Sequence, residues 1–108
     1  MNTLIDILRN HAASSPNAVA LESEHQTVNY HQLITQVDHL ANKLKSLPIQ
    51  RVGLYANNSI EWVVIDLACI AAGIVLVPLP LYFSQLQLQN AIHTSALEGV
   101  FTVDENCD

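Results

Sequence analysis

The chain has 108 residues, half of them hydrophobic and only 13% charged, so it has room for one modest core and no more. With 4 Lys plus Arg against 10 Asp plus Glu, the net charge of -6 excludes a phosphate-backbone binder, which needs clustered cations. The greasiest run, Leu67 to Leu81, is shorter than the about 18 apolar residues of a membrane span and is broken by Gly73, Pro78 and Pro80, so no span is expected. No basic stretch leads into an apolar segment after Met1-Asn2-Thr3, so no secretory signal is read and a cytoplasmic location is expected.

Thr3 as N-cap and Asp6 in the first turn open a helix carried by Leu4, Ile5, Leu8 and Ala12, which stops by Ser14-Ser15-Pro16. Ala18 to Glu22 and Thr27 to Asn29 have strand character around the polar Ser23 to Gln26, which predicts a hairpin. Asn29 with Gln32 resembles a capping box. Leu33, Val37, Leu40, Ala41, Leu44 and Leu47 then keep the 3.6-residue period of an amphipathic helix ending near Pro48.

Arg51 to Ala56 lacks alternation, as expected of a strand covered on both faces. Asn57-Asn58-Ser59 supplies cap side chains for a helix from Ile60 to Ala72, with Glu61 in its first turn and apolar residues nearly all round. That pattern predicts a buried helix. Gly73 stands where a left-handed C-cap closes it, and Ile74 to Val77 reads as a second buried strand, ended by Pro78 and Pro80. Ser84 and Gln87 form a capping box for a helix through about Thr94, and Gly99 to Val103 is a third strand. The expected fold is α/β: a partial three-layer parallel sheet with an N-terminal helix and β-hairpin, and βαβαβ in the second half. Residues 1–108 are read as one unit, with helix-hairpin-helix over 1–50 and βαβαβ over 51–104.

Candidate chemistry is sparse. Gly53, Gly73 and Gly99 stand alone, so no glycine-rich phosphate loop is spelled out. Asn57-Asn58-Ser59, after a strand and before a helix, is placed either to cap or to meet an anion, and capping is the usual role of such residues there. His11, His25, His31, His39 and His93 show no i, i+4 pair and read as surface residues. Glu22 and Glu24 share a strand face without a third partner, and Ser59 and Ser84 lack a nucleophile-elbow context. Tyr30 and Trp62 read as packing residues. Cys69 and Cys107, without metal-site spacing, read as reduced thiols.

Taken in order, these segments resemble the extreme N-terminus of the adenylate-forming superfamily, which includes acyl-CoA synthetases, peptide-synthetase adenylation domains and luciferases. Pro16-Asn17-Ala18-Val19-Ala20 is similar to its first strand, and Thr27-Val28-Asn29-Tyr30-His31-Gln32-Leu33 to its Thr-Tyr-x-Glu-Leu signature, with Asn and Gln as replacements. Val52 to Trp62 is similar to the family's strand, Asn-Ser and Glu-Trp helix start. Ala68 to Leu79, with Ala72-Gly73 and Val77-Pro78-Leu79, resembles its helix, Gly, strand and Pro-Leu sequence and is the most specific match. Ile49-Gln50 replaces the usual Gly-Asp before the strand.

The resemblance implies a ligase that uses ATP and magnesium to form an acyl-adenylate and passes the acyl group to a thiol such as coenzyme A. The family's phosphate loop, adenine contacts, Thr-Glu pair and hinge lysine belong downstream of Asp108, so no catalytic, cofactor-binding or metal-binding residue is assigned in this chain. The expectation is therefore a scaffold segment, inactive alone. The rivals are a protein-interaction module using the same fold and, behind it, a small flavodoxin-like nucleotide binder. An unfinished sheet also predicts association with the rest of a parent enzyme or with a second copy, through the Trp62 helix or the C-terminal strand.

Overall fold

The computed structural model describes residues 4–102. Thr3 as a cap, Val103 as the last strand residue, and Cys107 lie outside that range. Helix α1 (Leu4–Ser14) leads to an antiparallel hairpin of β1 (Val19–Glu22) and β2 (Thr27–Asn29), bulged between Val19 and Leu21. The turn is closed by the Ser23 amide donating to the Gln26 carbonyl at 2.8 Å. Helix α2 (Tyr30–Lys45) follows at once, because Asn29 accepts from the Gln32 amide and the Gln32 side chain accepts from the Asn29 amide in return, the reciprocal capping box read from the sequence.

The second half runs β3 (Arg51–Tyr55), α3 (Ile60–Ala72), β4 (Val75–Pro78), α4 (Gln85–Thr94) and β5 (Val100–Thr102). The three strands form a parallel sheet in the order β4-β3-β5. The chain therefore steps from β3 to one side and returns across it to the other. Right-handed crossovers in opposite directions put their helices on opposite faces. The register agrees: Val52, Leu54, Leu76 and Phe101 share one face and pack into the core with α1, α2 and α3. The other face, carrying Gly53, Val77 and Val100, receives Leu79 and Leu97 from the segments flanking α4.

Gly53 permits that approach. A Cβ there would lie 2.8 Å from Leu79 Cδ1 and 2.9 Å from Leu97 Cδ1, closer than carbon atoms approach. Gly73, by contrast, has open space around it and serves by its φ of 74°, which ends α3 in the left-handed cap expected of it.

Three sequence expectations are corrected. Leu47 does not extend the apolar stripe of α2: the helix ends at Lys45, the chain turns through Ser46, and Leu47 is 51% exposed. The strand β4 is not buried, because it lies at the sheet edge with Val75 49% exposed, and it includes Pro78 as its last residue, paired with Leu54. Proline is tolerated there because the missing N–H falls at an edge strand's end. Helix α3 is not covered all round either. Ile60, Val64, Ile65, Leu67, Ala68 and Cys69 are buried, while Ile70 stays exposed on the outer side.

Candidate functional site

In open α/β sheets ligands collect beyond the carboxyl ends of the strands. Here that end carries a crevice of about 340 Å³, walled by Leu54, Asn57, Asn58, Trp62, Leu79 and Tyr82. Its shape follows from local bonds. Ser59 caps α3 by accepting from the Trp62 amide at 3.1 Å, which fixes the first turn and with it the Trp62 ring. The Tyr55 hydroxyl donates to the Leu81 carbonyl at 3.1 Å and holds the Pro80–Phe83 turn over the end of β3. Tyr82, exposed, meets Phe83 edge to face at 5.5 Å.

The lining is apolar with two amides and one phenol, and it holds no Lys, Arg, His, Asp or Glu. Phosphoryl charge is normally met by cations, by a glycine-rich nest of amides or by a bound metal. The crevice offers neither cation nor glycine, and among the described residues no three His, Cys, Asp or Glu side chains come together where they could hold a metal ion. These residues do not fit a nucleotide triphosphate with its magnesium, and no reaction step is derived through them. Asn57-Asn58-Ser59 forms the rim and the cap; the capping half of the sequence reading is what the geometry shows.

The other candidates are scattered. All five histidines are at least partly exposed, and His11 stacks on the Tyr30 ring at 5.1 Å, so Tyr30 packs α1 against the start of α2. The Tyr30 and His31 amides donate to the Ala18 and Pro16 carbonyls, which ties the hairpin to that same helix start. Ser84 is a capping residue, reciprocal with Gln87. Cys69 is fully buried, and desolvation with a smaller contribution from Asp66 pushes its thiol up to about 11, which leaves it unreactive at neutral pH. Sequence reasoning passed over the Tyr55–Leu81 bond and the Tyr82 wall. Their one trace in the sequence is Pro78 and Pro80, which force a stiff turn beside an aromatic pair.

Residues 8–108 match the family of AMP-binding enzymes, and the chain belongs to that family. It is 32% identical over 90 residues to the mitochondrial medium-chain acyl-CoA ligase of Rattus norvegicus, an alignment that covers 79% of this chain and 15% of the ligase. It is 38% identical over 80 residues to tyrocidine synthase 3 of Brevibacillus parabrevis, covering 71% of this chain and 1% of that synthase. Among solved structures, the N-terminal subdomain of NpsA from Klebsiella oxytoca superposes on 98% of this chain with a TM-score of 0.83 at 20% identity, covering 29% of that chain, a likeness of fold. The resemblance carried by Val52 to Trp62 and by Ala68 to Leu79 thus holds at the level of the family. The chain spans 15% or less of the length of both curated relatives. Among the described residues, no helix is long and apolar enough to cross a membrane.

Proposed function

We propose that this chain is scaffold from an ATP-dependent ligase that activates a carboxylate as its acyl-adenylate and transfers the acyl group to a thiol, of the acyl-CoA synthetase type, and that it is inactive alone. The observation that supports this most is the family match over residues 8–108, paired with an alignment that uses most of this chain and 15% of the ligase. ATP, magnesium and coenzyme A then belong to the longer enzyme, whose remaining polypeptide is the natural partner of this segment, in the cytoplasm. The crevice chemistry is in keeping with such a division, since acyl-adenylate formation needs charge-stabilising groups aimed at the phosphates. An ATP–pyrophosphate exchange assay with the chain alone, over a panel of short, medium and aromatic carboxylates, tests the reading. The expected result is no exchange above the protein-free blank; exchange that depends on a carboxylate overturns it.

A further inference from the structure

The two helices that link the parallel strands are held differently. Helix α3 buries an apolar stripe from Ile60 to Cys69 and closes on Gly73, whose φ of 74° a glycine adopts freely. Helix α4 buries no residue, and its best-covered side chains, Leu88, Ala91 and Ile92, are only partly buried. It closes by the same motif: the Leu97 amide donates to the Ile92 carbonyl at 3.0 Å and the Ala96 amide to the His93 carbonyl at 3.2 Å. Here the residue in the left-handed position is Ala96, at a φ of 54°, where a Cβ is strained. Beyond the Ser84–Gln87 capping box, no side chain of α4 makes a hydrogen bond or ion pair among the described residues.

The segment is pinned at its ends instead. Leu79 and Leu97 converge on Gly53, the Leu79 amide donates to the Leu54 carbonyl at 2.8 Å, and the Glu98 amide to the Arg51 carbonyl at 2.9 Å. Just inside these anchors, two side chains of β3 hold the backbone, the Tyr55 hydroxyl at the Leu81 carbonyl and the Arg51 Nε at the Ser95 carbonyl. We propose that residues 80–96 are a strap that opens by melting α4, while both anchors and the rest of the fold stay in place. With 10 residues, α4 is shorter than the roughly 12–15 that an isolated helix needs in water, so packing must hold it, and little apolar surface is packed. Melting also frees Ala96 from its strained backbone. Few buried contacts and a strained cap are what place a segment at the low end of local stability. Leu81 and Tyr82, which wall the crevice, ride on the strap, so its opening takes down one side of that crevice.

Native-state hydrogen exchange on the 108-residue chain, read by mass spectrometry of its peptides, tests the strap. Relative to their unfolded rates, the α4 amides are expected to exchange at least about tenfold faster than those of α3. Ala96→Gly relieves the cap and should slow α4 exchange about fivefold, whereas Tyr55→Phe removes one pin and should speed it about fivefold. Gly73→Ala strains the α3 cap and should speed α3 exchange about fivefold while leaving α4 unchanged, because the open strap keeps α3 folded. One common protection for α3 and α4 overturns the proposal. So does a Gly73→Ala variant in which both helices speed up together, or α4 exchange that ignores Ala96→Gly or Tyr55→Phe.

Discussion

Glu98 and Arg51 bind each other twice through backbone and side chain: the Glu98 carboxylate accepts from the Arg51 amide at 3.1 Å, and the Glu98 amide donates to the Arg51 carbonyl at 2.9 Å. The same carboxylate oxygen accepts from the Gln50 amide at 2.6 Å, and the Arg51 guanidinium donates from Nε to the Ser95 carbonyl at 2.8 Å. The loop before β5 is thereby latched to the first residue of β3. Replacing Glu98 by Ala leaves two amides to water and should cost about 1 kcal/mol, the scale of an exposed hydrogen bond to a charged group. Glu98→Gln keeps the acceptor oxygen and should lose less than half of that. Urea unfolding of both variants checks the ranking.

Gly53 and Gly73 should both resist alanine, for different reasons. At Gly53 the new methyl meets Leu79 and Leu97, the buried Leu79 having little room to yield, and overpacking of this kind costs about 1–2 kcal/mol. At Gly73 the space is open and the cost is the left-handed backbone, about 1 kcal/mol. Asn should therefore recover part of the loss at position 73 and none at position 53. Thermal melts of the four variants separate the two mechanisms.

Cys69 should be silent to thiol reagents in the native state. With Cys107 replaced by Ser, reaction with an aromatic disulfide at pH 8 should proceed only at the rate of unfolding and become immediate in denaturant. The folded thiol titrates at about 11, above the ordinary value near 9. Between those two pH values the unfolded chain has lost a proton that the native chain keeps, so the native state's advantage is full below about 9 and drains away as pH rises toward 11. Cys69→Ala should flatten that part of the pH–stability curve.

Arg9 and Asp38 make the most conspicuous ion pair of the described residues, a two-bond fork at 2.6 and 2.8 Å joining α1 to α2. Asp38 raises the Arg9 pKa further above its ordinary value, chiefly through the hydrogen bond. The pair is nonetheless well exposed, and exposed pairs rarely exceed about 1 kcal/mol. A double-mutant cycle with Arg9→Ala and Asp38→Ala should return a coupling below about 1 kcal/mol that shrinks further in about 0.5 M salt. A larger, salt-insensitive coupling would mean that the fork organises the helix contact.

Much of the fold is legible locally because caps and terminators are short-range chemistry. Asn29 with Gln32, Ser84 with Gln87, Ser59 and Gly73 each do what their types and spacing announce. What the sequence withholds is the covering of surfaces. The run from Val75 to Val77 looks the same whether a strand is central or at an edge, and only the strand order shows that β4 has a neighbour on one side. Leu47 fits the helical period but follows the residue at which the helix has already turned. The crevice was illegible for a related reason: Tyr55 and Leu81 are 26 residues apart, and nothing in either neighbourhood announces their bond.

The strand order β4-β3-β5 also carries a schedule. Residue 52 finds residue 76 after a loop of 24, whereas residue 54 must wait for residue 101 on its other side. Closing the longer loop costs more entropy and comes later. On a ribosome, which delivers residues in order, β3 therefore spends the synthesis of some two dozen further residues as a half-satisfied strand, its unpaired side bare. The Glu98 latch, arriving just before β5, is the first contact able to end that exposure, so its loss should show as aggregation during expression before it shows in the melting temperature of the purified chain.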